Sequence, residues 1–277
     1  MRKRRISYVG ALGLALAVAI PGSALAAGTQ RVEAGFLPQA NATIPIPPPN
    51  ADIGSKFSKK GTLFTRLFLE GPANPVPEAG VFDIHAPEEL KFNTKGLATC
   101  NPDDIRNQSA DAAKQICDDS LIGEGSATAW LGGPTLTAPT VLFNGTKQNG
   151  NSTVLFHSTA GTPVTLISEM QNSPLPGFGT LFHTLVAQSA GGGVPDGIPI
   201  VDTGFTISKK YKDKKLLKKA KKAKKKGNTK KAKKLKKKAK KSWVQAECTD
   251  GELTTQINVS YVSGPAQSDS TTQTCSR

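Results

Sequence analysis

From Thr62 onward the chain alternates short runs of Val, Ile, Leu, Phe and Thr with clusters of Gly, Pro and Asn. Such runs, bounded by turn formers, read as β-strands. Thr62–Glu70, Gly80–His85 and Glu89–Asn93 predict three of them. Gly125–Leu131, Thr140–Phe143, Thr153–His157, Pro163–Glu169, Thr180–Gln188 and Ile198–Ser208 predict six more. Ser242–Cys248, Glu252–Val262 and Ser270–Cys275 complete the set. The period of two is clearest late in the chain, where Thr255, Ile257, Val259 and Tyr261 share one face. With Asn144-Gly145 and Asn149-Gly150 as turn signals, the pattern predicts a mainly-β protein, an antiparallel β-sandwich.

One short helix interrupts this pattern. Asn101 can cap free amides, Pro102 suits the first helical position, and Asp103-Asp104 suit the positive end of the dipole. Ile105, Ser109, Ala112 and Ile116 follow at helical spacing. Asp103, Asp104, Asp118 and Asp119 read as capping and solvated charges rather than a cation site. Residues 27–60 read as an extended leader, because Ile44-Pro45-Ile46-Pro47-Pro48-Pro49 favours polyproline II.

Charge changes the picture. The net charge of the 277 residues is +15. Residues 209–241 alone hold 21 Lys and one Asp, and Arg2, Lys3, Arg4 and Arg5 add four cations. The remainder carries 11 Lys and Arg against 20 Asp and Glu. The protein is therefore a mildly acidic body with one intensely cationic insertion, which excludes a uniformly basic binding domain. Gly227-Asn228-Thr229 splits the insertion into two arms. Leu216, Ala220 and Ala223 line one face of the first arm, and Ala232, Leu235 and Ala239 one face of the second. A helical hairpin is geometrically possible, but like-charge repulsion is severe, so the segment is expected to be disordered or fluctuating helix in low-anion buffer, with helix induced on a polyanion. Strand-like Phe205-Thr206-Ile207 and Trp243-Val244-Gln245 flank it, predicting an insertion in the loop of a β-hairpin.

The candidate polyanion-binding residues are Lys214, Lys215, Lys218, Lys219, Lys222, Lys225, Lys230, Lys233, Lys234, Lys237 and Lys240. Lysine is a hydrated point charge without bidentate geometry, and only Tyr211 is aromatic here. Binding should be non-specific, with no preferred nucleic-acid sequence. About ten lysines on a duplex would give a log–log salt slope near −9. The partner classes are anionic wall polymer, a membrane surface with anionic headgroups, acidic polysaccharide or released nucleic acid.

The first 26 residues read as a signal peptide: a cationic start, an apolar core from Val9 to Ile20, and Ala24-Leu25-Ala26 before the cut. The domain reading is thus 1–26 signal, 27–60 leader, 61–208 with 242–277 β-sandwich, and 209–241 lysine insertion. A secreted or envelope-associated location makes Cys100, Cys117, Cys248 and Cys275 readable as two disulfides. Three pairings are possible. The local pairs, Cys100–Cys117 and Cys248–Cys275, are favoured because each flanks one coherent segment, worth roughly 3 kcal/mol apiece. No Cys-x-x-Cys occurs and the three His are scattered, so neither metal nor cofactor is expected.

No catalytic motif is present, and no catalytic residue is assigned. His85, His157 and His183 each sit in strand-like runs and read as structural. Glu70, Asp83, Glu88, Glu89 and Glu169 offer carboxylates for a hydrolase, and Trp130 and Trp243 few platforms for a sugar. Trp243 reads as core. A secreted hydrolase or carbohydrate-binding module, and a structural protein with no ligand, stand as alternatives to polyanion adhesion.

Ala86-Pro87-Glu88-Glu89-Leu90, Gly96-Leu97-Ala98-Thr99-Cys100, Cys117, and Leu121-Ile122-Gly123-Glu124-Gly125-Ser126-Ala127 form a further pattern. It resembles uncharacterised exported β-sandwich proteins of high-GC actinobacteria, with their P-x-x-L … G-L-x-x-C … C-P-x-x-S-x-I-G-x-G run. The stretch Ala246-Glu247-Cys248-Thr249-Asp250-Gly251 to Cys275 is similar to their closing hairpin. Asp118 replaces the usual Pro after the second Cys, and the lysine insertion is unusually long. The resemblance implies fold, export and disulfides; it carries no activity, so no functional residue transfers.

Overall fold

The structure is a computed structural model that describes residues 29–38, 51–57, 59–70, 78–130, 134–160, 162–186, 199–262 and 264–276. The expected signal peptide and the Ile44–Pro49 run lie outside the described residues. Eleven antiparallel strands form one continuous sheet. In spatial order they are β1 (Thr29–Leu37), β4 (Thr62–Glu70), β12 (Ile200–Ile207), β7 (Leu121–Trp130), β8 (Thr135–Gln148) and β9 (Asn151–Ala160). There follow β10 (Thr162–Asn172), β11 (Phe178–Leu185), β5 (Ala79–Pro87), β16 (Glu252–Tyr261) and β17 (Gln267–Ser276). The two-residue β2 (Ala51–Asp52) pairs parallel to β17.

The sheet curls until its outermost strands, β1 and β17, meet. They are joined by side chains rather than by a backbone ladder. Asp269 Oδ2 accepts from Val32 N at 2.7 Å, and the Thr271 hydroxyl donates to Val32 O. Gln273, 2% exposed, accepts from Phe36 N at 2.7 Å and donates to Phe36 O at 2.9 Å. The result is a sandwich-like barrel whose exposed edges are covered, a usual remedy for unpaired strands.

One face of each strand fills the interior. Thr255, Ile257, Val259 and Tyr261 are all buried, as their alternation predicts. One end of the barrel is closed by a small sheet in which β15 (Val244–Ala246) pairs with β3 (Lys59–Lys60) and β6 (Leu90–Phe92). Trp243, fully buried, packs there on Phe92 at 5.2 Å, and Phe92 packs edge-on to Phe182 at 4.9 Å. Its assignment to the core holds. Toward the other end the packing is incomplete: a cavity of about 150 Å³ lies among residues of nine strands.

Both local disulfides are formed, with Cα separations of 5.5 Å for Cys100–Cys117 and 6.0 Å for Cys248–Cys275. Such bonds form and persist in an oxidising compartment. Among the described residues, no helix is long and apolar enough to cross a membrane.

Four sequence expectations need correction. Thr29–Leu37 is a barrel strand with Val32, Ala34 and Phe36 in the core, so residues 27–60 are not an extended leader throughout. The stretch between the first two cysteines holds two helices, α1 (Pro102–Ile105) and α2 (Ala110–Ile116), instead of one. Ser109 accepts from Ala112 N and starts the second, so Ile105, Ala110 and Ala113 face the body while Ile116 is exposed. Asn149-Gly150 makes the β8–β9 turn with both φ positive, but Asn144-Gly145 lies within β8. There the Asn144 amide donates to Ala98 O, and a Cβ on Gly145 would meet Thr153 Oγ1 at 2.1 Å. Finally, β12 and β15 do not pair with each other; the lysine insertion has its own two-stranded base.

Candidate functional site

The lysine insertion is a helical hairpin and not the disordered or fluctuating segment its charge predicts, because caps at both helix starts and a buried alanine seam offset the repulsion. Helix α3 runs Lys214–Lys225 and α4 runs Thr229–Ala239, packed antiparallel. Local chemistry explains each boundary. Asp213 caps α3 by accepting from Leu216 N at 3.0 Å. Gly227, at φ +76°, ends it: its N–H reaches Lys224 O and that of Asn228 reaches Ala223 O, a Schellman closure. Asn228 then caps α4 through Lys231 N. Ala220, Ala223, Ala232 and Ala239 are buried between the arms, with Leu216, Leu217 and Leu235 half-buried. The six residues that the sequence placed on the two inner faces all lie in that seam.

The base is fixed to the body. Strand β13 (Lys210–Lys212) pairs with β14 (Lys240–Ser242). The Tyr211 hydroxyl lies 2.9 Å from Asn93 O and 3.0 Å from Lys95 O, donating to these carbonyls. Burial, with Asp213 nearby, pushes the Tyr211 phenol up to about 12, so it keeps its proton. Asn93 Nδ2 donates to Ser242 O and to Gln245 Oε1, and Trp243 N donates to Lys209 O. Asp213 sits 3.3 Å from Lys241. Burial acts to raise its carboxyl, but the Leu216 amide and Lys241 outweigh this and hold it below the usual range. Gly96, at φ +86°, makes room: a Cβ there would come within 3.1 Å of that carboxylate.

All eleven candidate lysines are exposed. Residues 214–239 hold sixteen Lys and no acid. A twelve-residue helix is about 18 Å long, so the hairpin carries roughly one cation per Å of length, denser than the one anion per ~1.7 Å of duplex DNA. Among the described residues, only Asp213 and Asp119 stand within ion-pair distance of the insertion's lysines. The Asp119–Lys214 contact, at 3.9 Å between highly exposed groups, is worth little. Among the described residues, the carboxylates of the acidic body therefore leave most of the hairpin's lysines without an ion-pair partner.

Of the residues considered for catalysis, Asp83, His183 and Glu169 are cross-strand neighbours on three adjacent strands, the rest lie apart, and most are already engaged. His85 meets Ser173 Oγ at 2.9 Å and Asn258 Nδ2 at 3.1 Å. His157 is fully buried between Thr165 Oγ1 and Gln108 O, each at 2.9 Å. His183 pairs with Asp83 at 2.6 Å on the outer face. Glu89 is buried and accepts from Thr249, Glu88 is exposed, and Glu70 ends β4. Glu169 accepts from Asn151, Asn149 and Gln171, which holds its carboxyl below the usual range. Among the described residues, no three His, Cys, Asp or Glu converge as a metal site.

Burial pushes both His85 and His157 below the ordinary imidazole value. The unfolded chain then binds more protons than the folded one just below pH 6.5, so stability is complete above that pH and declines as pH falls through it. Thermal midpoints across pH 5–8 should fall on the acid side of 6.5, and less so in His157→Gln than in the parent. A flat profile would contradict this.

Sequence reasoning missed the anchors Tyr211, Asn93 and Gly96. A lone Tyr in a Lys/Ala tract was their one visible signal. No protein-family model matches the chain, and no curated protein matches it.

Proposed function

We propose that the protein is a secreted, envelope-associated, non-enzymatic protein whose lysine hairpin binds polyanions without sequence preference. The observation that carries this reading is the exposed cationic hairpin: sixteen lysines on two capped helices and the turn between them, mounted on the barrel through Tyr211, Asn93 and Trp243. The two disulfides and the signal-like first 26 residues support an extracytoplasmic setting. The motif resemblance to exported actinobacterial proteins points the same way. Wall polymer, anionic lipid and nucleic acid share the chemistry the hairpin recognises, a close-spaced row of phosphates or carboxylates.

Lysines surround the hairpin, so a single polymer engages about half of them. About eight contacts give a log–log salt slope near −7 on duplex DNA. Replacing residues 213–239 by Asn-Gly joins Lys212 to Lys240 through a two-residue hairpin turn and keeps the ribbon. That variant should lose retention on duplex DNA, poly(glycerol phosphate) and anionic vesicles alike, while its melting midpoint stays near the parent's. Retention that survives the replacement, or that ignores salt, would end the proposal. Repulsion among the lysines also predicts that far-ultraviolet circular dichroism of the parent gains helix on adding poly(glycerol phosphate), and that the replacement variant shows no gain.

A further inference from the structure

The barrel interior offers a second, independent site. Its cavity of about 150 Å³ is bounded by Phe82, Ile84, Phe156, Val164, Leu166 and Ile257, so its walls are predominantly hydrocarbon. The room arises from small inward residues on β7, where Ala127 and Ala129 stand in place of a larger side chain. Beyond them Gly123 and Gly125 let β7 press against β12: a Cβ there would lie 2.1 Å from Thr206 O or 2.0 Å from Gly204 O. Apolar cavities of similar volume take up ring-sized molecules, and filling one recovers contacts that its walls otherwise lack.

One polar atom in this wall is unsatisfied. Thr140 is 5% exposed and lines the cavity, and its hydroxyl has neither a hydrogen-bond partner nor open surface, so a rotation about χ1 is what turns it to face the cavity. Its cross-strand neighbour Ser158 donates to Pro139 O instead. A buried hydroxyl without a partner is costly, and an incoming ligand can supply one. We propose that the interior binds a small apolar molecule bearing one hydrogen-bonding group, the size of a single substituted ring, with Thr140 Oγ1 as its polar contact. Strand β12 links the two sites: Ile200, Thr203 and Phe205 line the cavity, and Ile207 leads on toward the hairpin. A hairpin held on a polyanion leaves this site free.

Calorimetric titration of the whole protein with benzyl alcohol and with toluene tests the proposal. Both should bind, with benzyl alcohol about 2–10-fold tighter, the value of one hydrogen bond. Thr140→Val, a change of equal shape, should erase that preference and leave toluene affinity unchanged. Ala127→Leu should abolish binding of both, and neither variant should alter retention on duplex DNA. Failure of both probes to bind, or persistence of the preference in Thr140→Val, would overturn it.

Discussion

Trp243→Ala is expected to lower the unfolding free energy by about 3–5 kcal/mol. The indole is the largest of the fully buried side chains and closes one end of the barrel against Phe92. Truncation leaves a void bordered by Phe92 and, through it, Phe182, neither of which can move inward without losing its own edge-on contact. The backbone of Trp243 holds Lys209 and Asn93, and alanine keeps those bonds, so the hairpin stays in place in the folded fraction. Trp243→Phe should cost less, about 1–2 kcal/mol: the volume lost is smaller, and the indole N–H, which has no partner, is removed. Urea unfolding measures both variants. Equal losses for the two would show that ring volume is not what holds this end closed.

Gln273→Leu tests the other end of the argument, the seam. The side chain keeps its bulk but gives up both bonds to Phe36, leaving a buried N–H and C=O without partners. Each orphaned group costs about 1–3 kcal/mol, so the expected loss is about 2–6 kcal/mol. Hydrogen exchange locates the effect. The Phe36 amide should lose protection, while the Val32 amide, held by Asp269, should keep more of its own. Lowered stability with Phe36 still protected would place the damage elsewhere.

The strands were legible wherever apolar residues alternate between turn formers. Thr62–Glu70 matches at both ends, and Glu252–Tyr261 differs by one residue from the expected run. Strand β1 carries the same alternation in Val32, Ala34 and Phe36, but the prolines that follow draw the whole stretch into a leader. Asn144-Gly145 misleads because turn propensity is local. Here a tertiary bond from Asn144 and a close approach at Gly145 decide the outcome. The hairpin was legible in its caps and alanine spacing, since those interactions span three to five residues. Its anchors were not, because Tyr211 meets Asn93 across 118 positions. Nor was the cavity, which exists only when the inward positions of nine strands are brought into register.

The seam also sets an order of events. The Phe36 amide waits for an acceptor 237 residues downstream, so the ring cannot shut before that residue has been made. Until Gln273 arrives, β1 can pair with β4 yet presents a raw flank, the state most prone to pairing with another copy. Closure thus follows the pairing of β1 with β4. A nascent chain stopped short of Gln267 would be an open ribbon awaiting its clasp.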